Sequence, residues 1–292
     1  MQNDKLLNYL HLHFIVFIWG FTAVLGALIS IDAIPLVWHR MALGAVFILL
    51  YMLFKKDPLK VTLKTALKFS FVGLLIAMHW LAFFSAIKTS NVSITLAMMS
   101  TGAFFASILE PIIFKRKIIK YEVVFGIIVI IGLYIIFRVE SQHLLGMLLA
   151  LSASFLGALF AILNGLLVKT SNATVITFYE LVAGVLFISI YLMFSNGFSV
   201  EFFVLSTNDW LYLILLASIC TAYAFIASVH VMKWISPYTV MLTTNMEPVY
   251  GIILALLVLG DDEYMSPSFY FGAIIILITV IANGIMKNRK KA

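Results

Sequence analysis

Apolar segments of the length that crosses a membrane dominate this chain. A bilayer core of about 30 Å is spanned by roughly 20 apolar residues of α-helix, and ten segments qualify. They are 10–30, 34–54, 69–88, 92–114, 121–138, 144–168, 173–194, 209–232, 236–260 and 266–287. Lipid offers no partner to an unpaired backbone group, so segments of this length must be helical. The sequence predicts an all-α membrane protein with ten transmembrane helices.

The second five spans echo the first five. Residues 38–54 align with residues 178–194 and share glycine, aromatic and isoleucine positions. The pairs are Gly44/Gly184, Phe47/Phe187, Ile48/Ile188, Tyr51/Tyr191 and Phe54/Phe194. Five is an odd number, so the second half must cross the bilayer in the opposite sense. We therefore expect two inverted five-helix repeats, 1–140 and 141–292, an arrangement typical of secondary transporters.

The composition is that of a membrane protein and argues against several other classes of protein. The chain is 63% hydrophobic and 11% charged, whereas soluble domains carry about 25% charged residues. Its net charge of +6 does not indicate nucleic-acid binding, because the basic residues cluster beside the spans. The single cysteine, Cys220, has no metal-ligand neighbour in sequence, and we expect it to pack. No metal or cofactor is predicted.

Lysine and arginine concentrate on one side of the predicted membrane. They are Lys55, Lys56, Lys60, Lys64, Lys68, Lys115, Arg116, Lys117, Lys120, Lys169, Lys233, Lys287, Arg289, Lys290 and Lys291. The positive-inside rule then puts both termini in the cytoplasm. The first apolar run is longer than that of a cleavable signal peptide. We expect a multi-pass protein of the cytoplasmic (inner) membrane that keeps this run.

Four charged residues fall inside predicted spans, where each costs at least about 2.5–3.5 kcal/mol at mid-bilayer. They are Arg40, Glu110, Glu180 and Glu247. Glu247 lies near the middle of span nine and is followed by Pro248. Proline removes a backbone hydrogen bond, and a broken helix is tolerated where it lines a cavity. Pro248 is therefore a predicted helix break, and Glu247 is the favoured functional residue.

Further polar and aromatic side chains fall at a similar depth. Thr239, Thr243, Glu247 and Tyr250 would form one stripe on a continuous helix, with Asn245 beside it. The other candidates are Trp19, His79, Trp80, Thr101, Tyr223 and His230. Transporter sites lie near the midplane between repeats, so we predict that these residues bind substrate. For the hydroxyls, hydrogen bonding between helices at about 0.6 kcal/mol each is an equally good explanation.

Arg40 and Glu180 occupy equivalent positions in spans two and seven, near opposite faces of the membrane. One interpretation is that each side chain snorkels to its interface or caps a helix. The other is that they are gating residues of the outer and inner closures. Glu110 is interpreted as structural, because Lys115 and Arg116 follow within about two turns.

Several motifs resemble the drug/metabolite transporter superfamily and its EamA-type family. They are residues 17–21, Arg40, and residues 236–238, 245–248 and 259–263. The resemblance implies ten helices in two inverted repeats around a central cavity, and transport of small metabolites, commonly amino acid export. This chain departs from the family pattern at Gly102, where many members have proline. Only span nine then carries a mid-helix proline, so symmetrical movement of spans four and nine is not expected.

These observations favour a secondary transporter that exports amino acids or related small polar metabolites by alternating access. A membrane carboxylate can carry a proton, so proton coupling stays open, as does the oligomeric state. A carrier of sugar- or lipid-linked metabolites is the alternative, but such cargo favours several cavity cations. An intramembrane enzyme would need a nucleophile–base pair or metal ligands on adjacent turns, and no such motif is present.

Overall fold

The computed structural model describes residues 2–115 and 120–289, and within these ranges every regular element is helical. In chain order the α-helices are α1 (Gln2–Leu28), α2 (Ala33–Lys55), α3 (Leu63–Thr89), α4 (Val92–Met99), α5 (Gly102–Ile113), α6 (Lys120–Val139), α7 (Leu144–Leu167), α8 (Ala173–Phe194), α9 (Val200–Phe203), α10 (Thr207–Ala217), α11 (Ala224–Val231), α12 (Pro237–Thr244), α13 (Glu247–Val258) and α14 (Pro267–Arg289). A π-helical turn, Ser218–Tyr223, joins α10 to α11. The all-α prediction is confirmed.

Eight helical stretches of the described chain are long and apolar enough to cross a membrane. They are Leu6–Leu28, Ala33–Lys55, Leu63–Thr89, Val92–Ile113, Ser141–Leu167, Ala173–Phe194, Thr207–Val231 and Pro237–Val258. The two other predicted spans contain the shorter apolar helices Val124–Val139 and Pro267–Asn283. All ten predicted segments are therefore helical, and the chain is a multi-pass membrane protein.

Polar residues at the ends of the apolar segments determine where many helices begin. The side chains of Thr62, Asn91, Asn172, Ser206 and Ser236 each accept a hydrogen bond from a backbone N–H in the first turn of the helix that follows. Such caps satisfy donors that the helix itself leaves unpaired. These five helices thus begin directly after a capping residue that the sequence supplies.

Helices from the first half of the chain pack mainly on helices from the second half. α3 lies along α7 and α8, and α2 lies along α8. α1 contacts α11 and α13, while α6 pairs with α14. Because these contacts cross between the halves, the bundle is one interlocked structure with its cavity between the two sets of helices.

Spans four and nine are interrupted at equivalent points. In span four an 8-residue helix, α4, and a 12-residue helix, α5, flank Ser100 and Thr101. In span nine the 8-residue α12 and the 12-residue α13 flank Asn245 and Met246. Both spans are therefore broken, although only span nine has a proline at the break.

Hydroxyl groups account for the break that lacks a proline. Thr101 Oγ1 donates to the Met98 carbonyl at 2.7 Å and lies 3.0 Å from Ser154 Oγ of α7. Ser154 Oγ also approaches the Met99 carbonyl at 3.2 Å. Hydroxyls that bond to nearby backbone compete with helical hydrogen bonding, and a neighbouring helix can supply the partner that the broken helix lacks.

Contacts between loops define the two ends of the bundle. At one end the Ser30 N–H and Oγ donate to Asp209 at 2.6 and 2.7 Å, and Glu263 accepts from the Val92 and Ser93 N–H groups at 3.0 and 2.7 Å. At the other end the Tyr179 hydroxyl donates to the Leu59 carbonyl at 2.6 Å.

Part of the basic cluster used to predict orientation lies outside the described structure. Arg116, Lys117, Lys290 and Lys291 fall outside the described residues, as do the side chains of Lys120, Lys287 and Arg289. Lys169 is described, and its ammonium group lies 5.5 Å from the Phe114 ring. This contact brings residues 168–172 to the same end as the residues that follow α5.

Candidate functional site

A cavity of about 90 Å³ lies among α1, α2, α3, α4, α7, the π-helical turn, α11, α12 and α13. Five residues singled out from the sequence line it: Trp19, Arg40, His79, Trp80 and Glu247. Most of the remaining wall is apolar and includes Phe83, Phe160, Phe225, Met99 and Met241. A space of this size holds several water molecules in the present conformation.

Arg40 is held in the cavity wall by two neighbours. Its Nε donates to Thr221 Oγ1 at 2.7 Å, and its guanidinium carbon lies 3.9 Å from the centroid of the Trp80 ring, a cation–π contact. Thr221 Oγ1 in turn donates to the Leu216 carbonyl, five residues earlier, at 2.8 Å. The π-helical turn therefore presents the threonine to Arg40, and such turns frequently occur at functional sites.

One donor of Arg40 remains unused. Its Nη1 is buried and has no hydrogen-bond partner within residues 2–115 and 120–289. The side chain is 2% exposed, so the interpretation that Arg40 snorkels to the interface is wrong. The cavity extends to the depth of Arg40. The position of Arg40 near the end of span two does not predict this contact. A gating role for Arg40 stays a prediction.

Glu247 begins α13 directly after the break and is 8% exposed. Pro248 follows it in the first turn of the same helix, at the place where the sequence predicts the break. The Glu247 carboxylate and the Arg40 guanidinium are close enough to attract each other, and a helix N-terminus also favours a negative charge. The cavity therefore contains two opposite charges set in apolar walls.

Hydrogen bonds fix the orientations of His79 and Trp19. His79 Nδ1 lies 2.7 Å from the Ala153 carbonyl; because a carbonyl only accepts, Nδ1 carries the hydrogen and Nε2 is left for another partner. The Trp19 indole N–H donates to the Cys220 carbonyl at 3.2 Å. Gly157 lies against the imidazole, so close that a Cβ there would come within 3.2 Å of His79 Cε1.

The predicted polar stripe of span nine does not reach the cavity as a unit. Thr243 Oγ1 donates to the Thr239 carbonyl at 3.0 Å within its own helix, and Thr244, not Thr243, lines the cavity. Asn245 is buried at the break, and its Nδ2 has no partner in the described ranges. The predicted stripe assumed continuous helical spacing, which the break between α12 and α13 interrupts.

Two further predicted residues also lie outside the cavity wall. Tyr250 packs on α1, where its ring lies 5.6 Å from Phe17 and its Cβ is 2.9 Å from the position that a Cβ on Gly20 would occupy. Thr101 is fully buried against Ser154 at the break in span four. Both residues hold helices together around the site.

Tyr223 and His230 line a separate, larger cleft of about 820 Å³. This cleft lies among α1, α2, the first turn of α8, the π-helical turn and α11. The Tyr223 hydroxyl is 2.9 Å from His11 Nε2. Tyr223, Ala227 and His230 share one face, as their spacing predicts, but that face is not at the central site.

Glu180 lines neither the central cavity nor the larger cleft. It is fully buried in α8, and Asn164 of α7 donates to its Oε2 at 3.4 Å. Arg40 has other partners, Thr221 and the Trp80 ring, as expected for residues near opposite faces of the membrane. A gating role for Glu180 stays a prediction.

Sequence reasoning missed several cavity residues. Thr221 holds Arg40, while Phe160 and Phe225 complete the wall. Cys220, expected only to pack, also lines the cavity. No spacing rule identifies a π-helical turn, so the orientation of residues 218–223 could not be read from the sequence.

Comparisons with known proteins agree with this architecture. Residues 8–138 and 144–284 each match the EamA-like transporter family. One solved crystal structure is similar over 95% of this chain and 97% of the other, with a TM-score of 0.69 and 12% sequence identity; at that identity the likeness concerns the fold alone. No curated protein matches the chain.

Proposed function

This chain belongs to the EamA-like transporter family, and we propose that it exports zwitterionic amino acids or closely related compounds across the cytoplasmic membrane by alternating access. The proposal includes ten membrane spans in two inverted repeats with both termini in the cytoplasm. The two family matches and the alternation of loop contacts between the two ends of the bundle support this topology.

The observation that carries the proposal is the pair of opposite charges in one small cavity. Arg40 is suited to a substrate carboxylate, because a guanidinium binds carboxylates through directed hydrogen bonds and its Nη1 has no partner among the described residues. Glu247 is suited to a substrate ammonium group across the same space. A zwitterion satisfies both charges at once.

The rest of the wall narrows the class of substrate further. Aromatic side chains, among them Phe83, Phe160 and Phe225, favour an apolar group on the substrate. A polyanionic sugar- or lipid-linked cargo would meet Glu247 as a repulsive charge. The wall therefore favours an amino acid with an apolar or aromatic side chain.

The shape of the cavity supports alternating access. It reaches Met232, just after α11, and Val240 in the first half of α12, so it extends toward the end that contains residues 232–236. At the opposite end, hydrogen bonds from Ser30 to Asp209 and from the start of α4 to Glu263 join the helices. We assign the present conformation to an inward-facing or nearly closed state.

Transport of matched compounds tests the requirement for both charges. Purified protein in liposomes should move radiolabelled L-phenylalanine, but neither phenethylamine, which lacks the carboxylate, nor hydrocinnamate, which lacks the amine. Glu247→Gln should lower L-phenylalanine transport about tenfold or more, since charge-assisted hydrogen bonds are worth about 1.5–3 kcal/mol. Glu201→Gln, in the exposed helix α9, is the control and should transport normally. Equal transport of all three compounds, or an unaffected Glu247→Gln protein, would contradict the proposal.

A further inference from the structure

Glu180 is a buried carboxylate without a counter-charge. The residue is fully buried, and the Asn164 amide at 3.4 Å is the only partner that its carboxylate has among the described residues. Its Oε1 has no hydrogen bond there. An isolated charge out of water is very costly, so this group needs a cation or a proton.

Two more oxygen atoms beside Glu180 are also unsatisfied. Asn164 Oδ1 and Thr177 Oγ1 are buried without a hydrogen-bond partner in the described chain. Thr177 precedes Glu180 by three residues on α8, and residues at this spacing are neighbours on a helix surface. Buried polar atoms are rarely left unpaired, so three of them together indicate a binding site for something that donates hydrogen bonds or positive charge.

The basic residues on helices packed against α8 do not supply that charge. On α2, Arg40 is bonded to Thr221 and faces Glu247; on α3, His79 is bonded to the Ala153 carbonyl. Lys64 and Lys68, also on α3, are exposed, as is Lys55 on α2. His39 of α2 is bonded to the Pro35 carbonyl, and Lys88 of α3 donates to the Ile29 carbonyl.

The remaining helices around Glu180 offer no cation either. α7 contains no titratable residue, and on α11 His230 is exposed in the large cleft. Glu180 and Glu247 therefore differ in kind, since only Glu247 has a guanidinium beside it.

We propose that Glu180, positioned by Asn164, is the residue that takes up and releases the coupling proton. Uptake forms one O–H bond on the carboxylate and leaves a neutral carboxyl group; release returns the proton to water and restores the charge. The coupling of this proton to transport depends on the transport function proposed above. The binding of a proton by Glu180 does not depend on it. Glu247, which lies beside Arg40 in the cavity, is assigned to the substrate instead.

Polar residues at steps of three along α8 lead from the large cleft toward this carboxyl group. Thr174 lines the large cleft, and Thr177 and Glu180 follow it at steps of three residues along α8. The equivalent positions before Arg40 in the first repeat are Ile34 and Val37. The polar residues thus occur only in the repeat that has the carboxylate.

Infrared difference spectroscopy on purified protein in liposomes tests proton binding without any substrate. Acidification of the wild-type protein should produce the carbonyl band of a buried carboxylic acid. Glu180→Gln should lose this band, Glu180→Asp should restore it, and Glu247→Gln should keep it. Thermal unfolding of each variant verifies folding. A band that persists in Glu180→Gln, or wild-type thermal stability that responds to Na⁺ and not to pH, would overturn the proposal.

Transport measurements test the coupling. In liposomes that contain a pH-sensitive dye, an L-phenylalanine gradient should drive proton movement through the wild-type protein. Glu180→Gln should abolish this proton movement and retain exchange of L-phenylalanine, because Glu180 lies outside the cavity. Proton movement that persists in Glu180→Gln would overturn the coupling role. If L-phenylalanine is not transported at all but the infrared band still depends on Glu180, the proposed function fails and the proton site stands.

Discussion

Arg40 faces Glu247 because of one threonine on a neighbouring helix. Thr221 accepts from Arg40 Nε at 2.7 Å and is itself held by the widened backbone of the π-helical turn. Trp80 covers the guanidinium from the other side, with its ring centroid 3.9 Å from Cζ. The charge is thus fixed before a substrate arrives, which lowers the cost of ordering it on binding.

Replacing Thr221 with valine should weaken substrate binding while the cavity keeps its shape. The change removes the hydroxyl that bonds to Arg40, and hydrogen bonds to charged groups contribute about 1.5–3 kcal/mol. The KM for L-phenylalanine in liposomes should therefore rise about tenfold or more. The matched control is Thr243→Val, because that hydroxyl bonds to the Thr239 carbonyl of its own helix and does not line the cavity. Equal effects of the two substitutions would contradict the assigned role of Thr221.

The residues that can be identified one by one from the sequence are those whose side chains are energetically costly to place in a membrane. Trp19, His79, Trp80 and Glu247 attract attention because polar or charged groups inside lipid need a reason, and all four line the cavity. The prediction for Thr243 depends on regular helical spacing, which fails where the helix breaks. Thr221 has no such signal, since a threonine in an apolar helix satisfies its own hydroxyl in most contexts.

Broken helices and close glycine contacts determine how the elements meet. At the contact of α1 with α13, a Cβ on Gly251 would come within 3.2 Å of the Gly20 carbonyl oxygen. At the contact of α6 with α14, a Cβ on Gly272 would come within 3.0 Å of the Gly132 carbonyl oxygen. The two contacts are alike in chemistry, but Trp19 and Glu247 of the cavity lie only beside the first.

Alanine at these two glycines should separate transport from stability. Each substitution pushes a methyl group against a backbone carbonyl and, more tightly, against a side chain, Leu96 for Gly251 and Ile136 for Gly272. Overpacking of this kind typically costs about 1–3 kcal/mol. Both Gly251→Ala and Gly272→Ala should therefore lower the unfolding temperature. Only Gly251→Ala should also reduce L-phenylalanine transport per folded molecule, because Glu247 lies one turn earlier on α13. Loss of transport in both proteins, or in Gly272→Ala alone, would contradict this assignment.

Whole elements were easier to predict than their interruptions. The apolar segments gave all ten helical regions, because membrane length and backbone satisfaction leave few options. The break in span nine follows from Pro248. The equivalent break in span four is not predicted, because Gly102 lacks the proline ring that forces a break. Residues 100–102 are weak helix formers, but the helix breaks there only because Ser154 of α7 supplies hydrogen bonds to the broken segment.

At the scale of the whole molecule, the two ends of the bundle are held unequally. One end is held by Asp209 on Ser30 and by Glu263 on the first turn of α4. The other end contains the wide cleft beside Tyr223 and a hydrogen bond from Tyr179 to the Leu59 carbonyl. In the proposed topology the first end faces outward, so opening toward the outside requires the contacts of Asp209 and Glu263 to break.

Asp209→Ala should make the cavity accessible from outside, and Cys220 reports this. It is the single cysteine of the chain, it lines the cavity, and it is 4% exposed. In right-side-out vesicles a membrane-impermeant maleimide should label wild-type Cys220 slowly and the Asp209→Ala protein several-fold faster, because Ser30 loses both of its hydrogen bonds. Tyr179→Phe, which removes a contact at the opposite end, should leave external labelling unchanged, and Cys220→Ala gives the background. Labelling that is equally fast in wild type and Asp209→Ala, or that rises in Tyr179→Phe instead, would place the closure at the other end of the bundle.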